Sequence, residues 1–187
     1  MTKPTIPVVI ETRHVRLTAA HVDLLFGTGY VLLPLVPLEF TERFAAAEVV
    51  VLRGPTGTLK NVRILGPTVG TTCVFLSDDD RSVLGLCPGG ETPPSGETCS
   101  IDGPRATIVI AGSDVRRVRR LVTTESFAAA SGLATGAIVE VSVHGERDRE
   151  LRGLAFEMGP ALFVGLDVAE ANTMEIGPGT RARLTSG

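Results

Sequence analysis

The stretch EVVVLRGPTGTLKNVRILGP, residues 48–67, decides the fold, because a similar stretch, AIVEVSVHGERDRELRGLAFEMGP, occupies residues 137–160. In each stretch, two runs rich in β-branched residues flank a short polar segment with glycine, and a Gly-Pro pair ends the second run. Runs of this kind, bounded by glycine or proline, are typical of β-strands joined by a short turn. The sequence therefore predicts the same β-hairpin twice.

An arginine-containing apolar stretch and a short helix precede each predicted hairpin. The stretches are TRHVRL at residues 12–17 and RRVRRLV at residues 116–122. The expected helix caps and stops, chosen by residue type, are Thr18 and Gly27 in the first half, and Thr123 or Thr124 with Gly132 in the second. The shared order of elements predicts an internal duplication.

Short β-branched runs with only two or three short helices favour small β-barrels over a parallel α/β sheet. We therefore expect a mainly β protein, an internally duplicated pair of small β-barrels with short capping helices. Residues 91–104 are dense in Pro, Gly and Ser, which is typical of a linker. The expected division is residues 1–90 for the first barrel repeat and 105–187 for the second, with the first strand able to pack with the other repeat.

Composition excludes several classes of partner. The 187 residues carry a net charge of −3 and 4% aromatic residues, so neither a basic excess nor a set of stacking side chains points to nucleic acid. No apolar run reaches the roughly 18 residues needed to cross a membrane, so no membrane association is expected. The cysteines, Cys73, Cys87 and Cys99, lack zinc-ribbon spacing and are expected to be reduced thiols in a cytoplasmic protein.

Four stretches together carry a resemblance to a known family. They are RHVRLTAAHVDLLFGTGYVLLPL (13–35), FAAAEVVVLRGPTGTLKNVRILGP (44–67), SGLATGAIVEVSVHGER (131–147) and LDVAEAN (166–172). In this order they resemble the PduL-type phosphate propanoyltransferases, the phosphotransacylases of bacterial microcompartments. The resemblance implies two β-barrel domains and a dimetal zinc site at the domain interface. It also implies transfer of an acyl group between phosphate and coenzyme A, chemistry in which a cation holds the phosphate and polarises the carbonyl.

The zinc ligands that the resemblance implies are mostly missing from the first half. The family motif R-H-x-H-L is matched by Arg13, His14 and a leucine, but Arg16 replaces its second histidine. After VRILGP the family offers a phosphate-binding arginine and then a metal-binding glutamate, and those places hold Val69 and Phe75 here. Of the implied ligands in this half, only His14 remains.

The second half lacks its implied ligands as well. The family motif R-H-x-H-M falls on RRLVT, where Arg119 fits but Arg120 and Val122 replace the two histidines. A further implied histidine, just before the D-x-x-E-A-N stretch, is Gly165. Cys73 is one conceivable replacement ligand, but with His14 it makes two protein ligands where a catalytic zinc usually has three. Zinc binding is therefore not expected, and no metal site is assigned.

Arginine suggests what replaced the metal. A guanidinium carries positive charge and a forked set of donors suited to phosphate oxygens. We therefore assign a substrate-binding set for phosphate or coenzyme A: Arg13, His14, Arg16, Arg119 and Arg120. The plain alternative is a solvated strand end whose cations reach into water, with His14 simply packed.

Three functions follow from these residues. The first is a degenerate homologue, a noncatalytic subunit that binds coenzyme A or acyl phosphate or serves in assembly, as a homodimer or with an active paralogue. The second is an active phosphate acyltransferase without zinc, in which Arg16 and Arg120 stabilise the phosphate charge. The third is a purely structural protein that binds no small molecule. The expected location is the cytoplasm or a bacterial microcompartment; a start so close to the first strand argues against targeting by an amphipathic extension.

Overall fold

A computed structural model describes residues 5–38, 42–87, 96–134, 137–144, 148–177 and 179–186, and its chain forms two compact units. The continuous unit is Arg13–Arg117. The composite unit consists of Met1–Thr12 and Val118–Gly187. Each unit has its own hydrophobic core, built mainly of Val, Ile and Leu. A core filled by such side chains fits a chain with few aromatic residues.

Most of the described chain is strand. The strands are β1 (Ile6–Glu11), β2 (His14–Arg16), β3 (Pro34–Pro37), β4 (Phe44–Arg53), β5 (Thr58–Gly66), β6 (Cys73–Leu76), β7 (Thr98–Asp102), β8 (Thr107–Ala111), β9 (Val115–Arg117), β10 (Arg120–Thr123), β11 (Ile138–His144), β12 (Arg149–Met158), β13 (Phe163–Asp167) and β14 (Arg181–Ser186). The helices are α1 (Ala19–Phe26), α2 (Asp78–Leu84), α3 (Glu125–Ser131) and α4 (Val168–Thr173), and Gly112–Asp114 forms one 3₁₀ turn. None of the described helices is long and apolar enough to cross a membrane.

The predicted helix caps are confirmed. The Thr18 hydroxyl accepts a hydrogen bond from the backbone of α1, and Gly27, with φ of 121°, ends that helix. Thr124 caps α3 in the same way, and Gly132 follows in the left-handed conformation. A side-chain oxygen satisfies one of the backbone N–H groups that an isolated helix start leaves without a partner.

The composite unit is a closed barrel with the strand order β1-β13-β10-β12-β11-β14. The continuous unit holds an eight-stranded sheet. Seven of its strands, in the order β8-β7-β4-β5-β2-β6-β9, curl into a nearly closed barrel, and β3 pairs with β4. The predicted fold class, a duplicated pair of small β-barrels with short helices, is confirmed.

The duplication is visible in the strand pairing. The two quoted stretches form the antiparallel hairpins β4–β5 and β11–β12. The strand β2 runs parallel to β5 and antiparallel to β6, and β10 runs parallel to β12 and antiparallel to β13. Both arginine-containing stretches therefore occupy the same place in their own sheets.

Each unit takes one strand from ahead of the other repeat. The strand β1 precedes β2 in the chain but pairs in parallel with β13, while β9 precedes β10 but pairs in parallel with β6. The compact units therefore have different boundaries from the predicted repeats, residues 1–90 and 105–187. Those repeats describe the duplication in the sequence and stay a prediction. Of the predicted linker, residues 91–95 lie outside the described residues, and β7 falls within its second part.

Candidate functional site

In the continuous unit, β2 and β6 set the implied ligand positions side by side. His14 faces Phe75 across the antiparallel pair. Val15, between His14 and Arg16, is fully buried in the core, so the two polar residues point to the opposite face of the sheet. His14 and Phe75 are both buried, and their rings stack with 4.6 Å between centroids. A phenyl ring offers a metal no donor atom, so His14 makes a packing contact where the resemblance implies a shared metal.

Two more arginines join this face, and sequence reasoning missed them. Arg63 on β5 pairs in register with His14, and Arg116 on β9 pairs in register with Phe75. Arg63 Nη1 also donates to the carbonyl oxygens of Ala46 and Ala47, at 3.0 and 2.9 Å. We call Arg16, Arg63 and Arg116 the cationic row. The row was invisible in the sequence because its members come from three strands that are far apart in the chain.

The remaining residues of the first motif region have different surroundings. Arg13 is 43% exposed, and its Nη1 lies 2.8 Å from Oδ1 of Asp80, a residue in the first turn of α2. Arg16 is half-buried and pairs in register with Cys73, so Cys73 lies opposite an arginine and not opposite His14. The backbone N–H of Val69 donates to the carbonyl of Leu17 at 2.9 Å. At the place where the resemblance implies a phosphate-binding arginine, the structure has Val69, an uncharged residue whose backbone is bound to Leu17.

In the composite unit, Arg120 occupies the centre of the implied ligand positions. It lies on β10 between Ala155 of β12 and Gly165 of β13. Leu121 is fully buried in the barrel core, so Arg120 and Val122 point to the outer face. Arg120 and Gly165, both implied as histidines, are direct neighbours across two strands. The strand register thus places these former ligand positions together within one unit.

Arg120 is only 3% exposed, and protein groups surround its guanidinium. Nη1 lies 2.8 Å from Glu11 Oε2, and Nε lies 3.0 Å from Glu157 Oε2. Nη1 also donates to the carbonyl of Val118 at 2.9 Å. One cation therefore bridges two carboxylates, an arrangement in which removing the cation leaves both acidic groups without their counter-charge. We call Glu11, Arg120 and Glu157 the Arg120 cluster.

Gly165 makes room for this cluster. A Cβ atom at that position would lie 2.7 Å from Val118 O, 2.9 Å from Glu11 Oε2 and 3.4 Å from Arg120 Nη1. The first two distances are too short for an ordinary contact, so a side chain at 165 and this ion pair exclude each other. Glycine at 165 and the buried arginine at 120 therefore fit together in the space between β10 and β13.

Arg119 serves a different contact from its neighbour. Its Nε lies 2.8 Å from Glu170 Oε1, and both side chains are half-buried. Glu170 belongs to α4, where the Asp167 carboxylate caps the helix by accepting from the Glu170 N–H at 2.9 Å. The D-x-x-E-A-N stretch therefore starts a helix and ties it to Arg119, which gives its acidic residues structural roles here.

Among the described residues, those at the implied ligand positions do not fit a zinc ion. In the part of the chain that the structure describes, no three His, Cys, Asp or Glu side chains are grouped so that they could hold a metal. The histidine of the first motif stacks on a phenyl ring, and a guanidinium lies at the centre of the second set of positions. A guanidinium carries positive charge and has no lone pair to give, so it repels a metal ion instead of binding it.

Comparison with known proteins identifies the family to which the chain is similar. A model of the phosphate propanoyltransferase family matches residues 7–177. A phosphate propanoyltransferase of Rhodobacter capsulatus is 32% identical over 177 residues, covering 89% of this chain and 80% of the relative. One of Priestia megaterium is 32% identical over 187 residues, covering 97% and 86%. One of Enterococcus faecalis is 28% identical over 190 residues, covering 96% and 88%.

Proposed function

Since this chain belongs to the phosphate propanoyltransferase family, we propose that it is a degenerate member, a noncatalytic subunit that binds coenzyme A or acyl phosphate without a metal. The family name implies substrates that carry phosphate and an acyl group. The proposal separates the two parts of that activity, keeping recognition of the phosphate-bearing ligand and omitting acyl transfer.

The observation that carries the proposal is the Arg120 cluster. The guanidinium fills the space between Glu11 and Glu157, and Gly165 has no side chain to contribute. A metal at this place would have to displace a buried cation and leave it without its two carboxylates. Displacing an ion from a buried pair costs several kcal/mol, roughly 3–5 by comparison with measured pairs. Zinc-dependent polarisation of the acyl carbonyl therefore has no support at these residues.

Retained recognition of anions rests on the cationic row and on Arg13. The three arginines of the row lie on strands next to His14 and Phe75, with their side chains on the same face of the sheet, and Arg63 Nη1 donates to the carbonyls of Ala46 and Ala47. Guanidinium groups bind phosphate oxygens through paired N–H donors.

Arg119 is half-buried in the composite unit and already pairs with Glu170, so a ligand there would have to compete with that carboxylate. We assign Arg120 a supporting role in ligand binding, because Glu11, Glu157 and the Val118 carbonyl already enclose its guanidinium.

Isothermal titration with coenzyme A and with an acyl phosphate tests the proposal. We expect binding at up to millimolar ligand that weakens as salt is added, because the contacts are ionic. Arg16→Ala removes one charge-assisted contact worth about 1.5–3 kcal/mol, so it should weaken binding roughly 10- to 100-fold. Arg53→Ala is the matched control. That arginine lies in the same unit, is 58% exposed and pairs with Asp102.

The titration separates the three functions when turnover is assayed on the same sample. Binding without turnover supports the proposed subunit. Turnover that falls at least roughly tenfold in Arg16→Ala would instead support the active acyltransferase without zinc, in which arginines stabilise transition-state charge. No binding of either ligand at millimolar concentration would contradict the proposal and leave the purely structural protein.

A further inference from the structure

The first turn of α2 holds two arginines that lie beside the cationic row. Arg13 comes directly before β2, and Arg117 is the last residue of β9. Arg13 Nη1 lies 2.8 Å from Asp80 Oδ1, and Arg117 Nη2 donates to Asp78 Oδ2. We call Asp78 and Asp80 the α2 carboxylates. Because β2 and β9 each carry an arginine of the cationic row, one helix reaches two strands of the proposed anion-binding surface.

The α2 carboxylates reach both strands because of the place where β6 ends. The strand β6 lies between β2 and β9, antiparallel to β2 and parallel to β9. Ser77 follows β6 and caps α2, its Oγ accepting from the Asp80 N–H at 3.1 Å. The helix therefore begins at the middle strand of three, and its first turn extends to an arginine on either side. Carboxylates are favoured at this end of a helix, so both charges fit the turn that carries them.

The rest of α2 is fixed independently of these ion pairs. Leu84 is fully buried in the core of the continuous unit. Arg81 is also buried, and its guanidinium donates to the carbonyl oxygens of Cys87 and Val115 at 2.8 and 2.7 Å. A buried leucine and two hydrogen bonds from a buried cation hold a helix more firmly than a partly exposed ion pair does. The α2 carboxylates can therefore release their arginines while the body of the helix stays in place.

Both ion pairs are open to water and to dissolved anions. The Arg13 side chain is 43% exposed in one pair, and the Asp78 side chain is 52% exposed in the other. Ion pairs at such exposure contribute little to stability, because water and salt screen the attraction. A phosphate oxygen offers a guanidinium the same charge-assisted hydrogen bond as a carboxylate oxygen does. A phosphate-bearing ligand therefore competes with the α2 carboxylates for the same N–H donors.

We propose that the α2 carboxylates are a built-in competitor for the anion-binding surface, and that a bound ligand displaces them from Arg13 and Arg117. This inference rests on the proposed function, because it concerns the regulation of the same site. In the ligand-free protein each carboxylate neutralises one arginine. In the complex the phosphate of the ligand takes its place, and the carboxylate turns toward water. The competition makes the affinity for the ligand lower than the arginines alone would give.

Isothermal titration of coenzyme A into the full chain tests the competition. Asp80→Asn and Asp78→Asn should each bind coenzyme A roughly 2- to 5-fold more tightly than the wild-type protein, the ratio that corresponds to one partly exposed ion pair. Asp79→Asn is the matched control. Asp79 lies in the same turn and carries the same charge, but among the described residues it has no arginine partner. Its replacement should change the affinity by less than about 1.5-fold at physiological salt, where distant charges are screened. Asp80→Glu keeps the carboxylate and should bind like the wild-type protein.

A second readout is the modification of Arg13 by phenylglyoxal, a reagent for accessible arginines, followed by mass spectrometry of the peptide. Arg13 should react faster in Asp80→Asn than in Asp79→Asn, because its carboxylate partner is gone. Coenzyme A should slow the reaction in the wild-type protein, because the ligand takes the place of Asp80. Coenzyme A that binds without protecting Arg13 would overturn the inference.

The titration also separates this inference from the proposed function. Equal or weaker binding by Asp78→Asn and Asp80→Asn, with native circular dichroism spectra, would overturn the inference and leave the proposed binding intact. Binding by these variants without binding by the wild-type protein would support the inference and count against the proposed function alone. No binding by any of the proteins would overturn both. Asp78→Asn, at the more exposed carboxylate, carries the test if Asp80→Asn does not fold.

Discussion

The Arg120 cluster gives the sharpest prediction, the effect of Arg120→Ala on the stability of the composite unit. The substitution removes the cation at 2.8 Å from Glu11 and 3.0 Å from Glu157 and also removes the hydrogen bond to the Val118 carbonyl. Removing one partner of a buried ion pair costs roughly 3–5 kcal/mol, since the remaining charge loses its counter-ion without regaining full hydration. The Glu157 side chain is 25% exposed and keeps some hydration, so we place the loss of unfolding free energy near the lower end, about 3 kcal/mol.

Urea unfolding followed by far-ultraviolet circular dichroism measures this loss. With a denaturant slope of roughly 1–3 kcal/mol per molar, the midpoint of the composite unit should fall by about 1–3 M. Arg119→Ala is the matched control, because Arg119 is the preceding residue and also pairs with a glutamate, but at a half-buried site. That change should cost about 1 kcal/mol or less.

Replacing the whole cluster provides the complementary variant. The variant Glu11→Gln/Arg120→Met/Glu157→Gln removes all three charges of the cluster together. Most of the unfolding free energy lost in Arg120→Ala should therefore return, as it does when buried ion pairs are replaced as a whole. The reasoning would be refuted if Arg120→Ala matched Arg119→Ala within about 0.5 kcal/mol, the usual limit for surface substitutions. It would also be refuted if the triple variant were less stable than Arg120→Ala.

Three further predictions follow from local geometry. Gly165→Ala should lose about 1–3 kcal/mol of unfolding free energy in urea, because the new Cβ would lie 2.7 Å from the carbonyl oxygen of Val118. Gly177→Ala is the control: its new Cβ would have no other atom within 4 Å, so its unfolding free energy should be nearly unchanged. Burial raises the pKa of the Cys99 thiol to about 11. The thiol is neutral in both states below about pH 8, but above that pH the unfolded chain ionises first, so stability should fall by about 2–3 kcal/mol between pH 8 and 11, and Cys99→Ala should abolish this loss. The hydrogen bond to Glu48 raises the pKa of Tyr30, the single tyrosine of the chain. In an absorbance titration, Tyr30 should therefore ionise at a lower pH in Glu48→Gln than in the wild-type protein. Coincident titration curves for the two proteins would contradict this prediction.

Much of the fold could be predicted because its signals are local. The two hairpin stretches carry β-branched runs and Gly-Pro ends, and the caps Thr18 and Thr124 act on the N–H groups of the first turn that follows. A repeated order of such elements also predicted the duplication. The parallel pairing of β1 with β13 and of β9 with β6 was not predicted in its details, because such partners are set by the assembled sheet and not by neighbouring residues.

The candidate site was only partly predictable for the same reason. The resemblance implied that Arg120 and Gly165 replace histidines, which stays a prediction, and the sequence gave no sign of Glu11 or Glu157, which reach Arg120 from other strands. A glutamate on a strand is normally assigned to solvent, so its pairing with a buried arginine appears only in the folded structure. The resemblance implied a glutamate at the place of Phe75, which stays a prediction, while the stacking of Phe75 on His14 depends on the register between β2 and β6.

The proposed loss of zinc-dependent transfer is tested most directly by elemental analysis of freshly purified protein, with phosphotransacylase turnover assayed on the same sample. We predict zinc well below one equivalent per chain and no turnover above the uncatalysed rate, because Arg120 fills the centre of the ligand positions that the resemblance implies and Phe75, which has no donor atom, stacks on His14. Stoichiometric zinc together with turnover would contradict this, and would mean that ligands other than those positions hold the metal.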